Sequence, residues 1–399
     1  MNRRNFLGNS LLATVGGLLI PNFLKAFELQ NLATTTNAKK LVIIQLSGGN
    51  DGLNTIVPYQ NDIYYKSRPD IAIEKSKVLT LSDDLGLNPV MAGLKNVYEE
   101  GNLCIVNSVG YPNPDRSHFR SMDIWQTGSS SEEYLSTGWL GRYLDAQCTQ
   151  TQCLPHYAIE VDDTLSLAVK GEKSKALAVQ DAKKLFQATR PAFLKTIQAH
   201  TAHTEHDNVA YLYKTLAETV SSAEYLYDKS KVQKTTGEYP NNEFGKRMKS
   251  IAELILSGVQ TQIFYVSLAG FDTHIRQNGQ QDKLLEEYTK AITAFMQDCK
   301  TNSLLDNVLV MTFSEFGRRV AQNASNGTDH GTANQVFLFG NKLKKKGFYN
   351  AAPNLTDLDD GDLKFTIDFR NIYADILKNW LETNPETILT KNFSSLGII

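Results

Sequence analysis

Leu41-Val42-Ile43-Ile44-Gln45-Leu46-Ser47-Gly48-Gly49-Asn50-Asp51-Gly52 is the stretch from which the fold is read. A short continuous apolar run that ends in Gly-Gly is what a central parallel strand buried on both faces requires, so the fold is expected to begin near Lys40. Two later runs end in the same manner. The run 263–268 leads into Gly270-Phe271-Asp272-Thr273-His274, and 308–312 leads into Ser314-Glu315-Phe316-Gly317-Arg318. Runs 103–106 and 336–339 read as further strands, and helical spacing over 88–100, 117–128, 208–231, 244–256, 283–299 and 369–381 alternates with them. This rhythm predicts an α/β fold: a doubly wound, mostly parallel sheet flanked by helices, in one domain over 39–399 with a helical insertion around 206–258.

At 399 residues the chain is long enough to bury a large core, and a formal charge of −2 without an arginine-rich tract argues against nucleic-acid binding. The first residues carry a different message. Asn2-Arg3-Arg4-Asn5-Phe6-Leu7, then an apolar glycine-containing segment closed by Pro21, resembles a twin-arginine export signal. The segment falls short of the ~20 apolar residues of a membrane span, so residues 1–38 are expected to be signal and linker. That resemblance implies passage through the twin-arginine translocase and a periplasmic location, with membrane attachment only if the signal stays uncleaved. Of the four cysteines, Cys148 and Cys153 are spaced to close a small loop in an oxidising compartment, whereas Cys104 reads as a buried thiol.

In open α/β sheets ligands bind in the crevice beyond the carboxyl ends of the strands, so the acids and histidines after these runs are predicted to converge. Carboxylates and neutral imidazoles are the donors that hold divalent ions. Asp51 reads as a ligand or as turn chemistry; Asp272 and His274, two apart, point to one side and read as a ligand pair, or as a helix cap beside a solvated histidine. Glu315 reads as a ligand or as a partner of Arg318 or Arg319, and Arg318 alternatively as a fork for an oxyanion. Asp329-His330-Gly331 lies in a polar loop just before a strand, a place that suits a ligand. In Arg116-Ser117-His118, Ser117 opens a helix as a nucleophile or as an N-cap, and His118 reads as a base, a ligand or a structural hydrogen-bonder.

In order, Asp51, Ser117, Asp272 with His274, Glu315 and His330 resemble the alkaline phosphatase superfamily of phosphatases, sulfatases and phosphoglycerate mutases. More closely, the stretches 46–54, 116–119, 270–274, 314–318 and 328–331 are similar to those of the exported domain-of-unknown-function 1501 family. The superfamily resemblance implies an alkaline phosphatase-like core and a centre of one or two divalent ions, Zn²⁺ or else Mn²⁺, Mg²⁺ or Ca²⁺. Carried over, Asp51 and Glu315 share one ion and Asp272, His274 and His330 hold the other, with Asp329 or His118 completing the first. Phe316 stands where the superfamily has a histidine, and no Cys-x-Pro-x-Arg sulfatase motif is present. The expectation is an exported metal-dependent hydrolase of phosphate or sulfate esters acting on an anionic small molecule or polymer, with Ser117, His118 and Arg318 as catalytic residues. The rival is a non-catalytic exported binding module with a partial or structural metal site.

Overall fold

The 41–46 run lies within β1 (Lys40–Ser47), whose alternate residues serve two cores: Val42, Ile44 and Leu46 pack into one, Leu41 and Ile43 into the other. This is the period-two geometry of a strand covered on both faces. The computed structural model describes residues 38–399 apart from 149–153, 175, 192–193 and 195–206, with side chains of 207–214 also set aside. Residues Asn37–Ile399 cluster as one compact unit.

In chain order the main elements after β1 are α1 (Ala92–Glu99), β2 (Leu103–Gly110), α2 (His118–Thr127), α3 (Trp139–Gln147), β3 (Ala158–Glu160) and β4 (Leu177–Ala178). There follow α4 (Asp207–Val232), α5 (Glu243–Leu256), β5 (Ile263–Ala269), α6 (Gln277–Thr301), β6 (Val308–Phe313), β7 (Asn334–Phe339), β8 (Gly347–Phe348), β9 (Ile367–Asp368) and α7 (Phe369–Asp375). The nine-stranded sheet runs β8-β2-β7-β6-β1-β5-β3-β4, with β9 paired to β2. Only β7 runs antiparallel to its neighbours. The fold is therefore the expected α/β sheet, mostly parallel and flanked by helices.

Both faces are helical, as double winding demands. One core joins Leu94 of α1, Phe244 and Met248 of α5, and Leu285 and Tyr288 of α6 to the sheet. The other joins Trp125 of α2, Trp139 of α3 and Phe369 and Tyr373 of α7, with Trp125 stacked on Phe313 at 4.8 Å and on Phe369 at 4.3 Å between centroids.

Two readings of the strands need correction. The order run 41–46, helix 88–100, run 103–106 reads as one βαβ unit; β2 does lie in the sheet, but β6 and β7 intervene between it and β1. The short strand β3, which borders β5 on its far side, has three residues and too little periodicity to be legible. Cys148 is disulfide-bonded and Cys104 and Cys299 are free buried thiols; Cys153, the expected partner, lies outside the described residues. So does the signal segment. Among the described residues no helix is long and apolar enough to cross a membrane.

Candidate metal centre

β1, β5 and β6 lie side by side and parallel, so their three following loops open at one edge of the sheet. Gly48, at φ +117°, turns the chain off β1 so tightly that a Cβ there would lie 2.5 Å from the Asp272 nitrogen. The loop after β6 is then zipped to the loop before β7: Gly317 and Thr332 share a backbone hydrogen bond, as do Arg319 and Asp329, and Arg318 bridges His330. Local backbone pairing thus brings His330 to Asp272.

Four side chains meet there. Oδ1 of Asp272 lies 3.0 Å from His274 Nε2, 3.1 Å from His330 Nε2 and 3.4 Å from His118 Nε2, and the His274 and His330 Nε2 atoms are 2.9 Å apart. Each imidazole is held from behind through Nδ1. His118 Nδ1 is 2.9 Å from Glu315 Oε1, His274 Nδ1 is 3.3 Å from Asp329 Oδ1, and His330 Nδ1 is 2.7 Å from the Arg116 carbonyl oxygen. With a proton on Nδ1 toward each of these acceptors, the three Nε2 lone pairs face Asp272. Lone pairs facing a carboxylate repel it unless a cation lies between them.

The donor set fits a divalent ion. Ligands ~2.0–2.1 Å from a tetrahedral ion stand about 3.3 Å apart, the range of the separations above. His118 Nε2 is buried and has no hydrogen-bond partner, which suits a metal-ligand atom. Histidine ligands ordinarily donate their second N–H to a carboxylate or carbonyl, and all three do so here. His118, Asp272 and His330 form a group of metal-ligand type among the described residues.

The electrostatics agree with an anionic Asp272. Burial works to raise its carboxyl, but the hydrogen bond from Arg318 and the Arg318 charge outweigh it and hold the group well below the usual carboxylate range. The hydrogen bond to Glu315 raises the His118 imidazole above its ordinary value, with burial opposing. Asp329 is lowered by a hydrogen bond from Asn323, against burial, with His274 adding to the effect.

The other expected residues lie in different settings around this cluster. Asp51 does not join the cluster: it is fully buried, caps a short helix through Leu53 N and pairs with Arg68, while Gln277 also donates to it. Glu315 and Asp329 stand behind His118 and His274, so each orients a histidine. Arg318 is also buried, with Nε donating to the Gly49 carbonyl, Nη1 to Thr328 O, and Nη2 to Gly48 O, Phe271 O and Asp272 Oδ1. Its fork is spent on holding loops and Asp272 and is not open to an oxyanion. Ser117 is the N-cap of α2 by backbone geometry, yet its hydroxyl makes no capping bond and the residue is exposed. Phe316, in the place of the superfamily's histidine, is buried with its ring 4.8 Å from that of His118 and 4.7 Å from that of His330. It is an apolar floor for two imidazoles.

Sequence reasoning missed Arg68, Gln277 and the Arg116 carbonyl. None lies in a glycine-flanked cluster after a strand, and a backbone carbonyl has no sequence signature at all. Arg116 and Arg319 were also passed over as cations in their own right. They flank the cluster half-exposed, both directed to the buried Asp362.

A sequence profile of the proteins of unknown function named DUF1501 matches residues 38–390. The chain is a member of the DUF1501 family. No curated protein sequence matches it. Among solved structures, this DUF1501 chain is similar to the zinc complex of the C-terminal periplasmic domain of EcEptC from Escherichia coli, with 11% identity over 78% of this chain and 75% of that one, at a TM-score of 0.38. It is also similar to the PsFucS1 sulfatase from Pseudoalteromonas sp., with 12% identity over 94% and 76% of the chains and a TM-score of 0.39. The alkaline phosphatase of the Antarctic bacterium TAB5 gives 11% identity over 78% and 94%, at 0.33. Likeness at this level leaves the activity of the DUF1501 chain to be argued from its own residues.

Proposed function

We propose that the protein is an exported, metal-dependent hydrolase of phosphate or sulfate esters whose divalent ion is held by His118, Asp272, His274 and His330. One observation carries this reading: three imidazoles, each anchored at Nδ1 by a separate acceptor, turn their Nε2 atoms on one carboxylate oxygen. A bound ion of this kind supplies Lewis-acid polarisation of an ester oxygen.

The chain's own residues supply the rest. Asp272 is half-exposed and His118, His274 and His330 are partly so, which leaves the centre open to a substrate from solvent. Ser117, exposed and one residue before His118, is the nucleophile in this reading, with the free N–H groups of α2 beside it to meet an anion. Arg116 and Arg319, half-exposed next to Ser117 and Arg318, are the cations within reach of an incoming oxyanion in this reading, each exchanging a contact with Asp362 for it. The substrate is accordingly an anionic small molecule or polymer, and the twin-arginine translocase is the export partner that the 1–38 segment calls for.

A panel of phosphate and sulfate esters offered to the purified chain with Zn²⁺, Mn²⁺, Mg²⁺ or Ca²⁺ tests the reading. Asp272→Ala is expected to lose metal and activity together, while Ser117→Ala keeps the metal and loses activity about a thousandfold or more. No hydrolysis by wild type across the panel would replace the hydrolase with the second reading, a non-catalytic module with a structural ion. The spent donors of Arg318 are the observation that favours that alternative.

A further inference from the structure

The superfamily resemblance implies acids enough for two ions at this edge of the sheet, and the residues fit one. We propose that the centre holds a single divalent ion per chain and that the guanidinium of Arg68 serves as the fixed cation of the first-strand acid, where a second ion would otherwise sit. This rests on the metal reading given above and specifies its stoichiometry.

Asp51 has no solvent exposure, and a buried carboxylate needs a countercharge. That charge is already present. Arg68, equally buried, places Nη1 2.5 Å from Asp51 Oδ2 and 2.9 Å from Asn54 Oδ1, and directs Nε to Val320 O and Nη2 to Arg319 O, both at 2.8 Å. The remaining Asp51 oxygen accepts from Leu53 N at 3.2 Å, and Gln277 donates to the oxygen that Arg68 holds.

An ion reaching Asp51 has to evict a fully buried guanidinium that donates to four acceptors. The stranded arginine charge makes that exchange unfavourable by the same desolvation that makes the present pair costly to break.

Glu315, the other acid expected at that ion, is committed as well. Oε1 accepts from Gly48 N at 2.8 Å and from His118 Nδ1 at 2.9 Å, and Oε2 lies 3.3 Å from Ser314 Oγ. Both oxygens of Asp51 and Oε1 of Glu315 therefore carry donors, whereas His118 Nε2 in the cluster is buried with no partner. The contrast separates an acid neutralised by the chain from donors that lack a cation.

Ion counting on the full mature chain decides the matter. Protein dialysed against excess Zn²⁺ and analysed by plasma mass spectrometry is expected to retain one ion per chain. Asp51→Asn is expected to retain one as well, and Asp272→Ala to retain none. Two ions in wild type, falling to one in Asp51→Asn, overturn the assignment of Arg68 while leaving the metal reading intact. A wild-type count of zero overturns both.

Because Asp51→Asn unbalances a buried pair and can fail to fold, a crystal of wild type grown with Zn²⁺ provides the second measurement. The expected anomalous map has one peak among the four ligands, with Arg68 still on Asp51. A peak beside Asp51 refutes the proposal.

Discussion

Glu315 touches no ligand position itself, yet it fixes which nitrogen of His118 faces the cluster. Replacing it with Gln keeps a hydrogen-bond acceptor of similar shape but removes the charge, so metal affinity should fall 10–100-fold with the fold retained. A chelator-competition titration measures this, and an unchanged affinity would show that Glu315 does not support His118. Glu160, at the end of β3, offers a test unconnected with metal. Burial pushes its carboxyl up to about 7 from the ordinary 4.5, despite a hydrogen bond from Ser166 N. Because the folded value is the higher one, the contribution to stability is fully present below pH 4.5 and is lost as pH rises through 7. Relative to Glu160→Gln, wild type should lose about 3 kcal/mol across that window, read from urea unfolding at a series of pH values. Identical pH slopes for the two proteins would contradict it. At this scale the sequence marked most of the acids and histidines that the structure brings together, Asp51 excepted, because glycine-flanked polar residues after apolar strands are visible locally. It did not show which are ligands and which stand behind them, since that distinction is a matter of a few ångströms between residues as distant as His118 and Glu315. Arg68, in a stretch with no motif, could not be found by any local pattern.

Among elements, the loop after β1 is the one on which the site most depends. Gly48 has both a positive φ and a backbone neighbour at contact, so Gly48→Ala should cost about 1–3 kcal/mol of stability and also weaken metal binding, although its side chain reaches no ligand. Thermal unfolding with and without added Zn²⁺ separates the two effects; a variant that is less stable but binds metal normally would mean that Asp272 is positioned without this loop. The long strands and helices were readable because period and length agree: β1, β6 and α5 lie within a residue of their predicted spans, and α6 extends the predicted 283–299 by a polar turn at its start. Strand order was not. A run such as 336–339 has the same composition whether it pairs parallel or antiparallel, and β7 turned out antiparallel between two strands that share a direction. The closing helix was read as one piece over 369–381, whereas it passes from α7 into a π-helical turn, Ile376–Trp380, which apolar spacing does not distinguish.

For the whole molecule, the two-sided core makes the domain a self-sufficient body, and the export reading makes that body the thing transported. Replacing Arg3 and Arg4 with Lys is expected to trap folded protein in the cytoplasm, as fractionation would reveal; normal export of that variant would exclude the twin-arginine route. The ligands, meanwhile, come from three distant parts of the chain. Between His118 and Asp272 run α2 to α5 and β3 to β5, and between His274 and His330 runs α6 with β6. A coordinated ion would thus act as a covalent-like staple between loops whose parent elements are already joined by the sheet and the two cores. Such a staple closes large rings, and its removal frees each ring to open by itself before the core gives way. Chelation should therefore alter where a protease first cuts, exposing loop sites near 270–276 and 320–331 while both cores survive, so that fragment maps would carry an imprint of the ion that a melting temperature cannot localise.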